Sequence, residues 1–276
     1  MKRKIKSSKY LIHVFLLIGA ISMVIPFFWM VSTSGKTMGE SMQVPPLLWP
    51  KNFQWNNYSK VTNIMPFAKF YFNTFIVILV RIITTTITAS MAAFAMAKLK
   101  FRGKSFVVTI VIGQMMIPGQ IYLIPQYQLA RSLGILDSIS ALIMPGIVSA
   151  FGTFLLRQHY MSLPNALMES AKLDGATIWQ IYSRIYLPIS KPGLVSLGIY
   201  TSLFAYKDLA WPLVVNSSFD KQTLSSGLSL LNGSGQLSTD FPLLMAGSVL
   251  ACLPMIILFL IFQNQFTQGI ATTGTK

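Results

Sequence analysis

The chain has 276 residues, of which 53% are apolar and only 11% charged, with a net charge of +15. A water-soluble domain carries roughly a quarter charged residues, and a nucleic-acid-binding face clusters its cations among polar neighbours; here the cations stand in short groups between long apolar runs, which excludes both classes. With Cys252 as the lone cysteine and His13 and His159 as the only histidines, neither a disulfide framework nor a zinc site can be built from this chain.

A helix needs about 20 mostly apolar residues to cross a bilayer. Residues 1–10 form a basic head with Lys2, Arg3, Lys4, Lys6 and Lys9. The apolar run behind it, 11–33, exceeds the core of a secretory signal and ends in Pro26-Phe27-Phe28-Trp29, so it reads as an uncleaved first span. Residues 34–71 are polar and carry Pro45, Pro46, Trp49, Pro50 and Trp55, as an external loop with interfacial aromatics would. Further spans are predicted at 72–96, 105–129, 138–156, 193–215 and 241–262, followed by a tail over 263–276. Residues 216–240 read as a second polar loop, and no internal repeat is evident. The fold class is therefore an all-α integral membrane protein of six transmembrane helices.

Basic residues favour the cytoplasmic side of a membrane. With the N-terminus inside, the inner segments hold 14 of the 22 basic residues, among them Lys98, Lys100, Arg102, Lys104, Arg157, Lys172, Arg184 and Lys191. Both termini are then predicted cytoplasmic. Arg81 and Lys207 fall within spans.

The inner loop at 158–190 is the most informative segment. Ser162 is placed to cap a short helix with Pro164 in its first turn, and Gly175 to end it in a left-handed conformation. Thr177 and Gln180 are spaced as a capping box for a second helix, which Pro188 then limits. Ile178, Trp179, Tyr182 and Ile185 are expected to anchor that second helix. Glu169, Asp174, Ala171 and Ala176 are expected to face a partner protein. An ordinary interfacial loop would use the same Gly and Pro only to turn.

Glu169-Ser170-Ala171, Gly175 and Ile185-Tyr186-Leu187-Pro188 closely resemble the signature of ABC importer permeases, with serine in place of the family's usual first alanine. The segments Met115-Met116-Ile117-Pro118-Gly119-Gln120, Leu133-Gly134-Ile135-Leu136-Asp137 and Phe154-Leu155-Leu156-Arg157-Gln158 resemble the carbohydrate branch, the second permease of maltose-type systems. The resemblance covers nearly the whole chain. It implies the type I importer fold, with 72–262 as the transmembrane core and the loop as a cytoplasmic coupling helix. It also implies alternating access to an oligosaccharide, or to sn-glycerol 3-phosphate or another polar solute. The implied partners are a homologous permease, two cytosolic ATPase subunits holding ATP and Mg, an extracellular sugar-binding protein and membrane lipid of a bacterial plasma membrane. This chain is expected to bind no cofactor, metal or nucleic acid and to be no enzyme. The implied coupling residues are Glu169, Ser170, Ala171, Asp174, Gly175, Ala176 and, in the tail, Gly274, Thr275 and Lys276. Asn232, Gly233, Ser234 and Gly235 are candidates for contact with the binding protein.

Intramembrane charge usually meets a cavity, a partner or a counter-charge. Tyr206, Lys207, Asp208 and Arg81 are the candidates for the substrate path; a structural Lys–Asp or Arg–Asp pair accounts for the same charges. The family typically has Asn where Lys207 stands. Pro118 and Pro125 fit either a cavity-lining interruption or a packing kink. Gly35-Lys36-Thr37 imitates the end of a phosphate-binding loop, but Met30 occupies the required glycine position. An ion-coupled transporter would show repeats and more intramembrane carboxylates than Asp208, and a membrane enzyme would show a hydrolase motif.

Overall fold

The computed structural model describes the backbone of residues 2–233 and 240–274 and the side chains of 11–230 and 240–263. These residues are helical, with no strand among them. In chain order the helices are α1 (Lys2–Ser34), α2 (Met38–Ser41), α3 (Asn56–Ile64), α4 (Phe67–Lys98), α5 (Lys104–Met115), α6 (Leu123–Ser132), α7 (Ile139–Ile143), α8 (Ala150–Ser162), α9 (Ala166–Leu173), α10 (Ile178–Ile181), α11 (Leu187–Ile189), α12 (Lys191–Lys207), α13 (Ala210–Val215), α14 (Leu224–Gly233) and α15 (Phe241–Gly274). A single-turn 3₁₀ segment precedes α6, and a π-helical turn, Tyr182–Tyr186, joins α10 to α11.

Among the described residues three helices are long and apolar enough to cross a bilayer: Leu11–Ser34, Phe67–Lys98 and Phe241–Gln263. Two bent pairs, Lys104–Met115 with Gly119–Ser132 and Ile139–Gly146 with Ala150–Ser162, raise the number to five if each is one crossing. The stretch expected as a span at 193–215 is the 17-residue α12, which breaks at Asp208 before α13. The 105–129 run is not merely kinked. It bends by 99° between Met115 and Gly119, where Pro118 has no N–H to continue the ladder.

The chain divides into two compact units, Met1–Phe67 with Leu228–Ile256 and Ala68–Gly227 with Ile257–Lys276. In the first, α1 leaves Leu11 to Phe28 exposed on every side, the pattern of a helix surrounded by lipid. The segment after it is a folded cap rather than an open loop. Asn57 Nδ2 donates to the carbonyls of Ser34 and Lys36 at 2.9 and 3.0 Å, and Ser34 shares a 2.7 Å bond with the Tyr58 hydroxyl. Lys36 is buried with its ammonium 4.2 Å from the centre of the Trp29 ring, and burial lowers its pKa against the opposing pull of Glu40. Thr37 and Glu40 form a capping box on α2. The Gly35-Lys36-Thr37 triplet is thus a structural turn.

In the second unit, α4 is the spine. Its N-terminal half packs Val77 with Ala130, Ala141, Leu142, Trp211 and Val215; its C-terminal half packs Ala89, Ala93 and Phe94 with Leu156, Tyr160, Tyr182, Tyr186 and Leu197. Thirty-two residues at 1.5 Å each separate its ends by roughly 48 Å. At the N-terminal end the stretch 216–240 is not simply a polar loop: it contains α14, whose Leu224 is fully buried, and Gly227 packs where a Cβ would strike the Phe70 ring. Asn73 Nδ2 donates to the carbonyls of Asp220 and Gln222, both at 2.9 Å. Asp137, at φ +53°, accepts from the Ser217 and Ser218 amides, from Ser218 Oγ at 2.6 Å and from Lys221 Nζ at 3.0 Å. Ser218, by hydroxyl and amide, and then Lys221 hold the Asp137 carboxyl well below the usual carboxylate range.

An unfolded Asp titrates near pH ~3.9. Asp137 titrates lower when folded, so its stabilising contribution is complete above that pH and is lost as pH falls beneath it. Thermal unfolding in detergent between pH 3 and 7 is expected to show an acid loss of stability that Asp137→Asn flattens.

Candidate functional site

Two places in the second unit carry the chemistry: an elbow beside the C-terminal end of α4, and the break between α12 and α13.

The elbow is built from α9, a turn and α10. Leu163 is extended because Pro164 follows it, so α8 ends at Ser162 and α9 begins only at Ala166. Ser162 therefore caps nothing; its hydroxyl donates back to the His159 carbonyl at 2.7 Å. Gly175 adopts φ +76°, with its N–H on the Lys172 carbonyl and the Ala176 N–H on that of Ala171, a Schellman close of α9. Thr177 and Gln180 make the expected capping box. Pro188 does not end the second helix. The Leu187 amide reaches the Tyr182 carbonyl through the π turn, and this wider turn lets the helix continue through the proline to Ile189.

The elbow is fastened to α4. Tyr182 shares a 2.7 Å bond with Ser90, and Lys98 Nζ donates to the Leu163 carbonyl and Asn165 Oδ1 at 2.7 and 2.8 Å. Met168, Ala171, Ile181 and Tyr186 are buried in the surrounding core. Ala171 therefore packs inward instead of facing a partner, and Ala176 is half-buried. Of the expected anchors, Tyr182 and Ile185 pack inward, whereas Ile178 and Trp179 are 50% and 61% exposed. Glu169, Ser170, Asp174 and Gly175 are exposed as expected. Leu173, which the sequence does not single out, is 90% exposed.

At the break, α12 stops at Lys207 and Asp208 is extended (ψ 111°) before α13. Arg81, buried near the middle of α4, donates through Nη2 to Asp208 Oδ2 at 3.0 Å and through Nε to the Leu142 carbonyl at 3.1 Å. Its shaft fills the space where a Cβ on Gly146 would stand, and Thr85 donates to the Gly146 carbonyl. Trp211 Nε1 donates to the Ala141 carbonyl at 2.8 Å. Tyr206 is half-buried, its carbonyl accepting from Ser225 Oγ at 2.5 Å, and Lys207 is exposed. The pair that forms is Arg–Asp, not Lys–Asp.

Beside this pair lies a cleft of about 220 Å³ lined by Arg81, Thr85, Gly146, Tyr200, Thr201 and Phe204. Phe151 stacks on Tyr200 with ring centres 4.0 Å apart, and Tyr200 meets Phe204 at 4.3 Å. The sequence reading misses this row, although residues 200 and 204 are spaced i, i+4 and so share one face of α12. Asn232 and Gly233 end α14, while Ser234, Gly235, Thr275 and Lys276 lie outside the described residues.

A helical membrane protein with an exposed, rigid elbow and a broken, charge-bearing helix is built as a transport permease. Residues 86–272 match the family described as "Binding-protein-dependent transport system inner membrane component", and the chain belongs to that family. It is 34% identical over 255 residues, 91% of this chain and 90% of the other, to the arabinooligosaccharides transport system permease protein of Bacillus subtilis (strain 168). It is 27% identical to the sn-glycerol-3-phosphate transport system permease protein of Yersinia enterocolitica, with 94% of each chain covered. Among solved structures it superimposes with a TM-score of 0.79 on a chain of a bacterial ABC transporter involved in import of the acidic polysaccharide alginate, at 23% identity and with 94% and 96% of the two chains covered. That likeness establishes the shared fold.

Removing one member of a buried ion pair leaves the other uncompensated, at a cost of about 3 kcal/mol. Asp208→Leu and Arg81→Met are each expected to destabilise the permease by that amount in detergent unfolding, and the two together to recover most of it. Additive losses in this double-mutant cycle would show that the pair is not coupled.

Proposed function

We propose that this chain is one permease of an ATP-driven importer for an oligosaccharide. It pairs with a homologous permease, takes sugar from an extracellular binding protein and follows two ATPase subunits that hold the ATP and Mg. The observation that carries the reading is the elbow: Leu173, Ile178 and Trp179 stand exposed on a segment whose other face is locked into the core. Burying a Leu-sized side chain is worth roughly 1.5–3 kcal/mol, and aromatic anchors dominate the energy of protein interfaces. Glu169 and Asp174 border those apolar side chains and supply a charged rim. Nucleotide-dependent closure of the ATPase dimer moves the elbow, and this biases the outward-facing state over the inward-facing one.

The basic residues flanking the spans support a cytoplasmic elbow and cytoplasmic termini. The 220 Å³ cleft is smaller than a typical ligand pocket and forms one wall of a path that the second permease completes. An oligosaccharide is favoured by the arabinooligosaccharide permease relative and by the aromatic row, because ring faces suit sugar stacking. The sn-glycerol-3-phosphate permease relative supports that solute as a second reading.

The test is reconstitution of the importer in proteoliposomes. Leu173→Asp and Trp179→Ala are expected to lower sugar uptake about tenfold or more and to free ATP hydrolysis from its dependence on sugar. With Cys252 replaced, a cysteine at position 174 is expected to crosslink to the ATPase. Normal uptake by both variants, or labelling of that cysteine from the external face, would sink the proposal.

A further inference from the structure

Lys207 is a cation without an anion. Among the described residues the ion pairs are Lys69–Asp220, Arg81–Asp208 and Lys221–Asp137, and Lys207 takes part in none of them and in no hydrogen bond. The chain has only seven acidic residues. Asp208 is held by Arg81, Asp137 and Asp220 sit beyond α13, Glu40 caps α2, and Asp240 caps the start of α15. Glu169 and Asp174 lie on the elbow, beyond the opposite end of α12 and roughly 25 Å of helix away. Among the described residues none supplies a counter-charge for Lys207.

Its depth follows from its neighbour. Asp208 reaches Arg81, halfway along the apolar α4, so Lys207 is held at that level by a single peptide bond. A lysine there is costly unless it meets an anion or a water-filled path. It also stands where the helix is interrupted, the place at which transporter helices expose polar groups to their cargo. Three residues earlier, one turn back along α12, Phe204 is 61% exposed; it continues the Phe151–Tyr200 row and lines the cleft together with Arg81. Lys207 thus follows the aromatic row by one helical turn, at the end of α12.

We propose that Lys207 receives a negatively charged group on the transported molecule, a carboxylate or a phosphate ester, and that the substrate class is therefore an acidic carbohydrate. This rests on the permease reading above. An ammonium is a compact point charge with rotatable donors, suited to an anion arriving in more than one orientation.

The experiment uses the complete importer in proteoliposomes and paired probes. Uronate tri- and tetrasaccharides from several polysaccharides are compared with their carboxyl-reduced neutral counterparts, and glucose 6-phosphate and sn-glycerol 3-phosphate with glucose and glycerol. The wild type is expected to import at least one charged probe about tenfold faster than its neutral pair, the size of one added charge interaction. The uronate and phosphate arms tell which anion it is. Lys207→Gln is expected to lower the ratio of charged to neutral uptake about tenfold, and Lys207→Arg to keep it. Import of neutral glycans alone would overturn the inference and leave the permease reading standing. Equal loss of charged and neutral uptake, or failure of the Lys207→Gln complex to assemble, would assign Lys207 to the partner permease and overturn it as well. If no probe stimulates ATP hydrolysis in the wild type, both readings fall together.

Discussion

Arg81 sits midway along an apolar helix of 32 residues, and hydrocarbon offers its guanidinium nothing to bind. Every partner has to come from the protein, and this requirement organises the surrounding helices. The Leu142 carbonyl is free to accept because α7 ends one residue later. Gly146 lets the arginine shaft pass where a side chain would collide. Asp208 reaches in because α12 has stopped and its backbone is extended. Two helix interruptions far apart in sequence thus answer one buried charge.

Much of the architecture is legible in the sequence because membrane spans announce themselves by length and hydropathy. The elbow is legible for a different reason. Gly175 and the Thr177–Gln180 pair specify backbone geometry locally, and the structure follows them. Where local signals competed, the prediction erred. Ser162 is a good cap by residue type, but Pro164 forces Leu163 to be extended and α8 claims the serine first. Pro188 reads as a stop, yet a π turn absorbs it. The apolar residues of the elbow are the harder case. Periodicity says that Ile178, Trp179 and Tyr182 are apolar but not which of them faces the core, and an unpartnered docking surface has the same composition as an anchor.

The residues around the break show a further limit. Arg81, Lys207 and Asp208 stand out because charge in a span is rare. Tyr200 and Phe204 do not, since aromatic residues on a membrane helix are as common against lipid as against cargo. Only the Arg81–Asp208 pair fixes which face of α12 looks into the cleft, and it thereby gives the aromatic row a direction.

One element joins the two sites. Helix α12 starts at Lys191, directly after the turn that closes the elbow, and ends at Lys207 beside the ion pair. Leu197, Thr201 and Ala205 along it are buried, and Gly152 on α8 closes on Leu197 so tightly that a Cβ would stand 2.8 Å from it. A helix seated this closely moves as a rod, because packed interiors have low compressibility. Any displacement imposed on the elbow therefore reaches the break as a shift of Lys207 and Asp208 against Arg81. The break is also where the rod ends, so the shift is taken up at the extended backbone of Asp208 while α13 stays fixed by the Trp211 bond to Ala141. In this geometry the elbow and the Arg81–Asp208 pair are joined through the same few backbone torsions.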